Sequence, residues 1–145
     1  MIAVDTNLLV YAHRLDSEWH HAALDALRGL SEQSTRWGIP WPCVHEFLAI
    51  VTHPRIYAPP TPLAVATRAV SVWLESPGCV ALSEGPGYLD VLRQVLERAQ
   101  AVGGMVHDAR VAAICLYNGV GAFWTADRDF SRYPELKTHN PLARR

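Results

Sequence analysis

Most of the usual signatures of enzyme chemistry are missing from this sequence. Cysteine is scarce: Cys43, Cys79 and Cys115 are far apart, sit in apolar surroundings and form no C-x-x-C pair. That argues against a disulfide framework or a thiolate zinc site, and for buried free thiols in a reducing cytoplasm. No run of about 18 apolar residues is present to span a bilayer. The N-terminus has neither a basic leader nor a small-residue cleavage pattern, so a mature, soluble start is expected. His45-Glu46 opens like the metalloprotease H-E-x-x-H motif, but position 49 is alanine. No P-loop, dinucleotide fingerprint or G-x-S-x-G elbow occurs, which leaves nucleotide-cofactor and covalent mechanisms without support.

An excess of one charge is also lacking. Lys and Arg number 13 against 14 Asp and Glu, for a formal net charge of -1, so the balance does not announce a nucleic-acid binder. Acids gathered around metal ions would change that balance. Cations would neutralise them, and the remaining basic residues, mostly arginine, would face an anion.

What is present is apolar and periodic. The 145 residues are 50% hydrophobic, enough for one domain, 1–145, with a sizeable core. Short apolar runs at 1–5, Trp37–Trp41 (broken by Pro40), Cys79–Leu82 and "AFWTA" read as buried strands. Between them lie helical patterns. One is a short helix over Leu8–Tyr11, and the next is capped by Ser17 with Trp19, Ala23, Leu27 and Leu30 on one face. A third runs from about Val44 to Val51. A fourth has Thr61-Pro62 at its start and Leu63, Ala66, Val70 and Trp73 on its core side. Leu92, Val95, Leu96 and Ala99 mark a fifth, stopped by Gly103-Gly104, and "HDARVAAICLYNG" a sixth, ended by Asn118-Gly119. Alternating strands and helices predict an α/β domain with a central, mostly parallel sheet flanked by helices. Trp73 and Trp124 read as packing residues; Trp19, Trp37 and Trp41 are candidates for a partner surface, and His20-His21 for a solvated helix.

Acids recur where this scheme places strand ends and helix starts. Asp5 ends the first strand and Asp127 the last, with Asp129 two residues on. Asp108 begins a helix, and Glu46 falls in the first turn of another. Taken singly, each has an ordinary reading as a turn, capping or surface residue. Together they fit the rule that open α/β sheets bind ligands at the carboxyl ends of their strands. Converging carboxylates repel unless a cation lies between them, and an all-oxygen set suits magnesium or manganese better than zinc.

The segments "VDTNLLVYA", "CVHEFLAIVTHP", "HDARVAAIC" and "FWTADRDFSRY", in this order and spacing, resemble the PIN-domain ribonucleases, and more narrowly the VapC toxins of toxin–antitoxin operons. The resemblance covers nearly the whole chain. It implies metal-binding acids at Asp5, Glu46, Asp108 and Asp127, with Asp129 at a less constant fifth position. Thr6 and Asn7 match the polar residues after the first acid, and Thr125 the hydroxyl residue before the fourth. It further implies Mg2+ or Mn2+ as cofactor, RNA as substrate, a homodimer, and a VapB-like antitoxin that blocks the groove. Thr6 and Asn7 have two compatible roles, donors to the carboxylates or caps of the following helix. Arg110, Arg128 and Arg132 flank the acids and are candidates for RNA phosphate contacts. Three readings stay open: a toxin endoribonuclease, a stand-alone PIN nuclease, and a non-catalytic nucleic-acid or protein-binding module.

Overall fold

A computed structural model describes residues 1–143; the last two positions of the expected 1–145 domain lie outside the described residues. Five strands form one sheet: β1 (Ile2–Val4), β2 (Trp37–Pro40), β3 (Cys79–Leu82), β4 (Ala122–Trp124) and β5 (Thr138–His139). Their order is β3-β2-β1-β4-β5 and every pairing is parallel. Parallel neighbours need crossovers, which helices supply. α1 (Thr6–His13) and α2 (His20–Glu32) link β1 to β2, α3 (Trp41–Val51) and α4 (Leu63–Leu74) link β2 to β3, and α5 (Tyr88–Ala99) and α6 (Met105–Tyr117) link β3 to β4. All four residues of β2 are buried. Since successive strand residues point to opposite faces, the middle of the sheet is covered on both sides.

From β1 the chain steps outward to β2 and β3, then returns to the other flank of β1 as β4. The carboxyl end of β1 is therefore the point where the winding direction reverses, and a crevice opens there.

Several boundaries differ from the sequence expectation for local reasons. α1 starts at Thr6 rather than Leu8 because Asp5 is itself the cap: its Oδ1 accepts the Thr6 N–H at 2.7 Å. Ser17 does not cap α2. Its hydroxyl accepts the Trp19 N–H and its carbonyl the His20 N–H, which makes a turn before the helix. Pro40 completes β2, paired with Leu82, and α3 follows at once from Trp41, with Pro42 in a first turn that needs no N–H. Glu46 consequently sits in the second turn. Thr61 does not cap α4; it is buried, with its hydroxyl beside His13 Nε2 and Arg14 Nη1, and Leu63 is 67% exposed instead of facing the core. α5 begins at Tyr88 and stops at Gln100, which adopts a left-handed conformation, so Gly103-Gly104 belongs to the entry of α6. β4 is shorter than expected, and β5 carries no apolar run that would have revealed it. Trp37 is 1% exposed, with Nε1 donating to the Pro77 carbonyl, and is core rather than partner surface. His20 is likewise buried, its Nδ1 3.1 Å from the Tyr11 carbonyl.

The end of α6 matches expectation in detail. Gly119 has φ +72°, its N–H reaches the Leu116 carbonyl and the Val120 N–H reaches that of Cys115, the paired bonds of a Schellman stop.

Candidate metal centre

Asp5, Glu46, Asp108 and Asp127 arrive from four separate places: the end of β1, the second turn of α3, the first turn of α6 and the segment after β4. They line one cleft of about 90 Å³ together with Thr6 and Asn7, over a floor that includes Val111 and Phe130. The expected convergence of the four acids is present.

Asp5 is the most buried of them, at 6% exposure. Its Oδ1 holds the Thr6 N–H and lies 3.6 Å from the Cys43 Sγ; its Oδ2 accepts from the Thr125 hydroxyl at 2.6 Å and from Asn7 Nδ2 at 3.4 Å. Desolvation outweighs these donors and pushes the Asp5 carboxyl up to about 6; Glu46 adds to the rise. Burial also raises Asp108, reinforced by the negative charges of Asp127, Asp129 and Glu46 and opposed by Arg132.

Thr125 ties two acids together. Its hydroxyl donates to Asp5 and accepts the Asp127 N–H at 2.9 Å. Asn7 bridges the same pair of segments, giving Nδ2 to Asp5 and Thr125 and accepting the Ala126 N–H at 3.3 Å. Thr6 donates its hydroxyl to Glu46 at 3.4 Å. Thr6 and Asn7 thus serve the carboxylates, while the capping role belongs to Asp5. Asp127 does not end β4. It caps a 3-10 turn over Arg128–Arg132, with its Oδ1 accepting the Asp129 N–H at 2.8 Å.

The tightest group is Asp108, Asp127 and Asp129, which each offer an oxygen within 4.8 Å of the other two. Asp129, expected only in a supporting place, belongs to this group, whereas Asp5 and Glu46 do not. Three hard oxygen donors without thiolate or imidazole fit a divalent cation of the magnesium or manganese class.

The arginines divide. Arg110 points elsewhere, with Nε 2.8 Å from Glu84 Oε1. Arg128 and Arg132 are exposed on the 3-10 turn beside the acids. Cys43, expected as an ordinary core thiol, touches Asp5. Its position three residues before Glu46 on α3, hence on the same helix face, was the available signal.

Comparison with known proteins bears on the family and the fold. The PIN domain family matches residues 2–136. VapC ribonuclease Mb2897 of Mycobacterium bovis is 34% identical over 143 residues, covering 98% of this chain and 96% of that protein. Ribonuclease VapC33 of Mycobacterium tuberculosis is 32% identical over 142 residues, covering 98% and 99%. The crystal structure of VapBC2 from Rickettsia felis, bound to a DNA fragment from its promoter, contains a chain with the same fold. It superposes with a TM-score of 0.66 at 20% identity, covering 97% of this chain and 98% of that one.

Proposed function

This chain belongs to the PIN domain family, in its VapC ribonuclease branch, and on that premise we propose that it is a metal-dependent endoribonuclease acting as the toxin of a VapBC-type pair. The observation that carries the reading is the convergence of Asp5, Glu46, Asp108 and Asp127 from four elements onto one crevice at the reversal point of the sheet. A purely structural cluster gains nothing from such mutual repulsion. A cation-binding one needs it.

Asp108, Asp127 and Asp129 would hold the ion, with Asp5 behind them as a buried ligand or a ligand through water. When bound, Mg2+ or Mn2+ supplies Lewis-acid stabilisation of the phosphoryl charge that grows during hydrolysis. Glu46 lies at the exposed rim, held by Thr6. There it shares in ion binding or orients the attacking water and takes its proton as the phosphorus–oxygen bond to the leaving group breaks, the leaving oxygen being protonated from solvent. Thr125 and Asn7 keep Asp5 aimed into the cleft, and Arg128 and Arg132 receive substrate phosphates.

RNA is the substrate, a VapB-like antitoxin the partner, a homodimer the working assembly and the cytoplasm its place. No helix among the described residues is long and apolar enough to cross a membrane. Purified protein is expected to cleave RNA with Mg2+ or Mn2+, to stop on chelation, and to lose cleavage in Asp5→Asn without losing its circular dichroism spectrum. Cleavage by Asp5→Asn at the wild-type rate would overturn the assignment. Preferential cleavage of DNA would favour a stand-alone nuclease.

A further inference from the structure

A second cavity, of about 390 Å³, adjoins the acidic cleft and is lined by Tyr11, Glu18, Trp19, Ala126, Asn140 and Leu142. The two spaces have no lining residue in common but are built on neighbouring ones. Asn7 lines the cleft and Tyr11, one helical turn further along α1, lines the cavity. Ala126, bonded through its N–H to Asn7 Oδ1, lies between Thr125 and Asp127 on the other side. A strand lying across the acids along α1 would therefore place a neighbouring nucleotide over this cavity.

The lining suits a base rather than a phosphate. Trp19 is 37% exposed and provides a stacking surface, the usual means of holding a splayed, unpaired base. Glu18 is a carboxylate, wrong for a phosphate but right for adjacent N–H donors. The Asn140 side-chain oxygen accepts the Leu142 N–H at 2.9 Å, which leaves its amide NH₂ to donate. Guanine matches this set: its N1–H and N2–H₂ edge pairs with a carboxylate, and its O6 accepts from an amide. No other standard base presents two adjacent donors beside an acceptor.

We propose that this cavity is a guanine-binding subsite that sets where the RNA is cut, with Trp19 stacking on the base and Glu18 and Asn140 reading its edge. The proposal rests on the RNA-cleaving reading of the acidic cleft.

The test uses the full chain with Mg2+ or Mn2+ and unstructured oligouridine strands carrying one guanosine, adenosine, cytidine or inosine. Cleavage at a fixed distance from guanosine is expected, favoured about tenfold over adenosine, with inosine intermediate because it lacks the N2 amino group. Glu18→Gln is expected to erase the guanosine preference, bringing the guanosine, adenosine and plain oligouridine strands to similar rates. Trp19→Ala is expected to raise KM for the guanosine strand about tenfold with kcat unchanged, and Trp19→Phe to recover most of it. A binding titration of the same strands with metal chelated reads the subsite independently of catalysis, with the same order expected. Cleavage of all strands at equal rates, or a guanosine preference that survives both Glu18→Gln and Trp19→Ala, overturns the subsite and leaves the nuclease reading standing. Failure to cleave any strand with either metal, despite guanosine-selective binding, overturns the nuclease reading instead.

Discussion

Asp5 is a carboxylate whose fold makes ionisation costly, and its protonation gives that cost a measurable sign. Its folded-state pKa is raised to about 6 from 3.8, mainly by desolvation. Between these values the folded state holds more protons than the unfolded chain, so stability is fully present below about 4 and falls as pH rises to about 6. The loss amounts to roughly 2–4 kcal/mol, a tenfold change in proton affinity being worth about 1.4 kcal/mol. With metal chelated, the wild type should lose this increment between about pH 4 and 6 in urea titrations. Asp5→Asn should lose this fall and keep only the opposing slopes of raised Asp108 and lowered His13. Superimposable pH profiles for the two proteins would remove Asp5 as the strained group. Of the residues around Asp5, Thr6 and Asn7 were legible in the sequence because they are polar among apolar neighbours, and Thr125 only through the family resemblance. Cys43 was legible only through its place three residues before Glu46 on α3, since a buried thiol by itself looks the same whether it touches leucine or a carboxylate.

At the scale of elements, α6 delivers Asp108, and its far end is fixed by Gly119. That residue has φ +72° and no heavy atom within 4 Å of where a Cβ would stand. Gly119→Ala therefore probes backbone conformation alone and should cost about 1 kcal/mol, a melting shift of a few degrees by calorimetry. An unchanged melting temperature would mean that the Schellman stop contributes nothing. This terminus could be read directly because Asn-Gly is strong punctuation. The alternation of helices and strands was equally plain, and with it the parallel sheet. The starts of α2 and α4 were misplaced where a side chain with a capping habit was drawn into other contacts, Ser17 into a turn and Thr61 to His13 and Arg14, and that of α3 because Pro40 completes β2 and leads directly into the helix. Conversely, Asp5 took the cap while serving the site. β5 escaped notice because an edge strand of two exposed residues is held by backbone pairing to β4, not by an apolar pattern.

For the molecule as a whole, the acidic cluster predicts that cation binding and stability are linked. A divalent ion that binds only the folded state should stabilise by about 2.7 kcal/mol at a hundredfold excess over its Kd. Raising Mn2+ or Mg2+ should accordingly raise the melting temperature at pH 7, and Asp127→Asn should abolish most of the rise. A metal-independent melting temperature in the wild type would argue that the acids hold no ion. The strand order carries a further consequence, one that concerns synthesis on the ribosome. β1 is made first yet gains its second neighbour only when β4 appears, and the Thr125–Asp5 bond joins positions 120 residues apart. At some 5–20 residues per second, several seconds separate the two events. A nascent or prematurely terminated chain therefore lacks the cleft, and a cell translating this protein is exposed to its activity only after nearly the whole chain has been made.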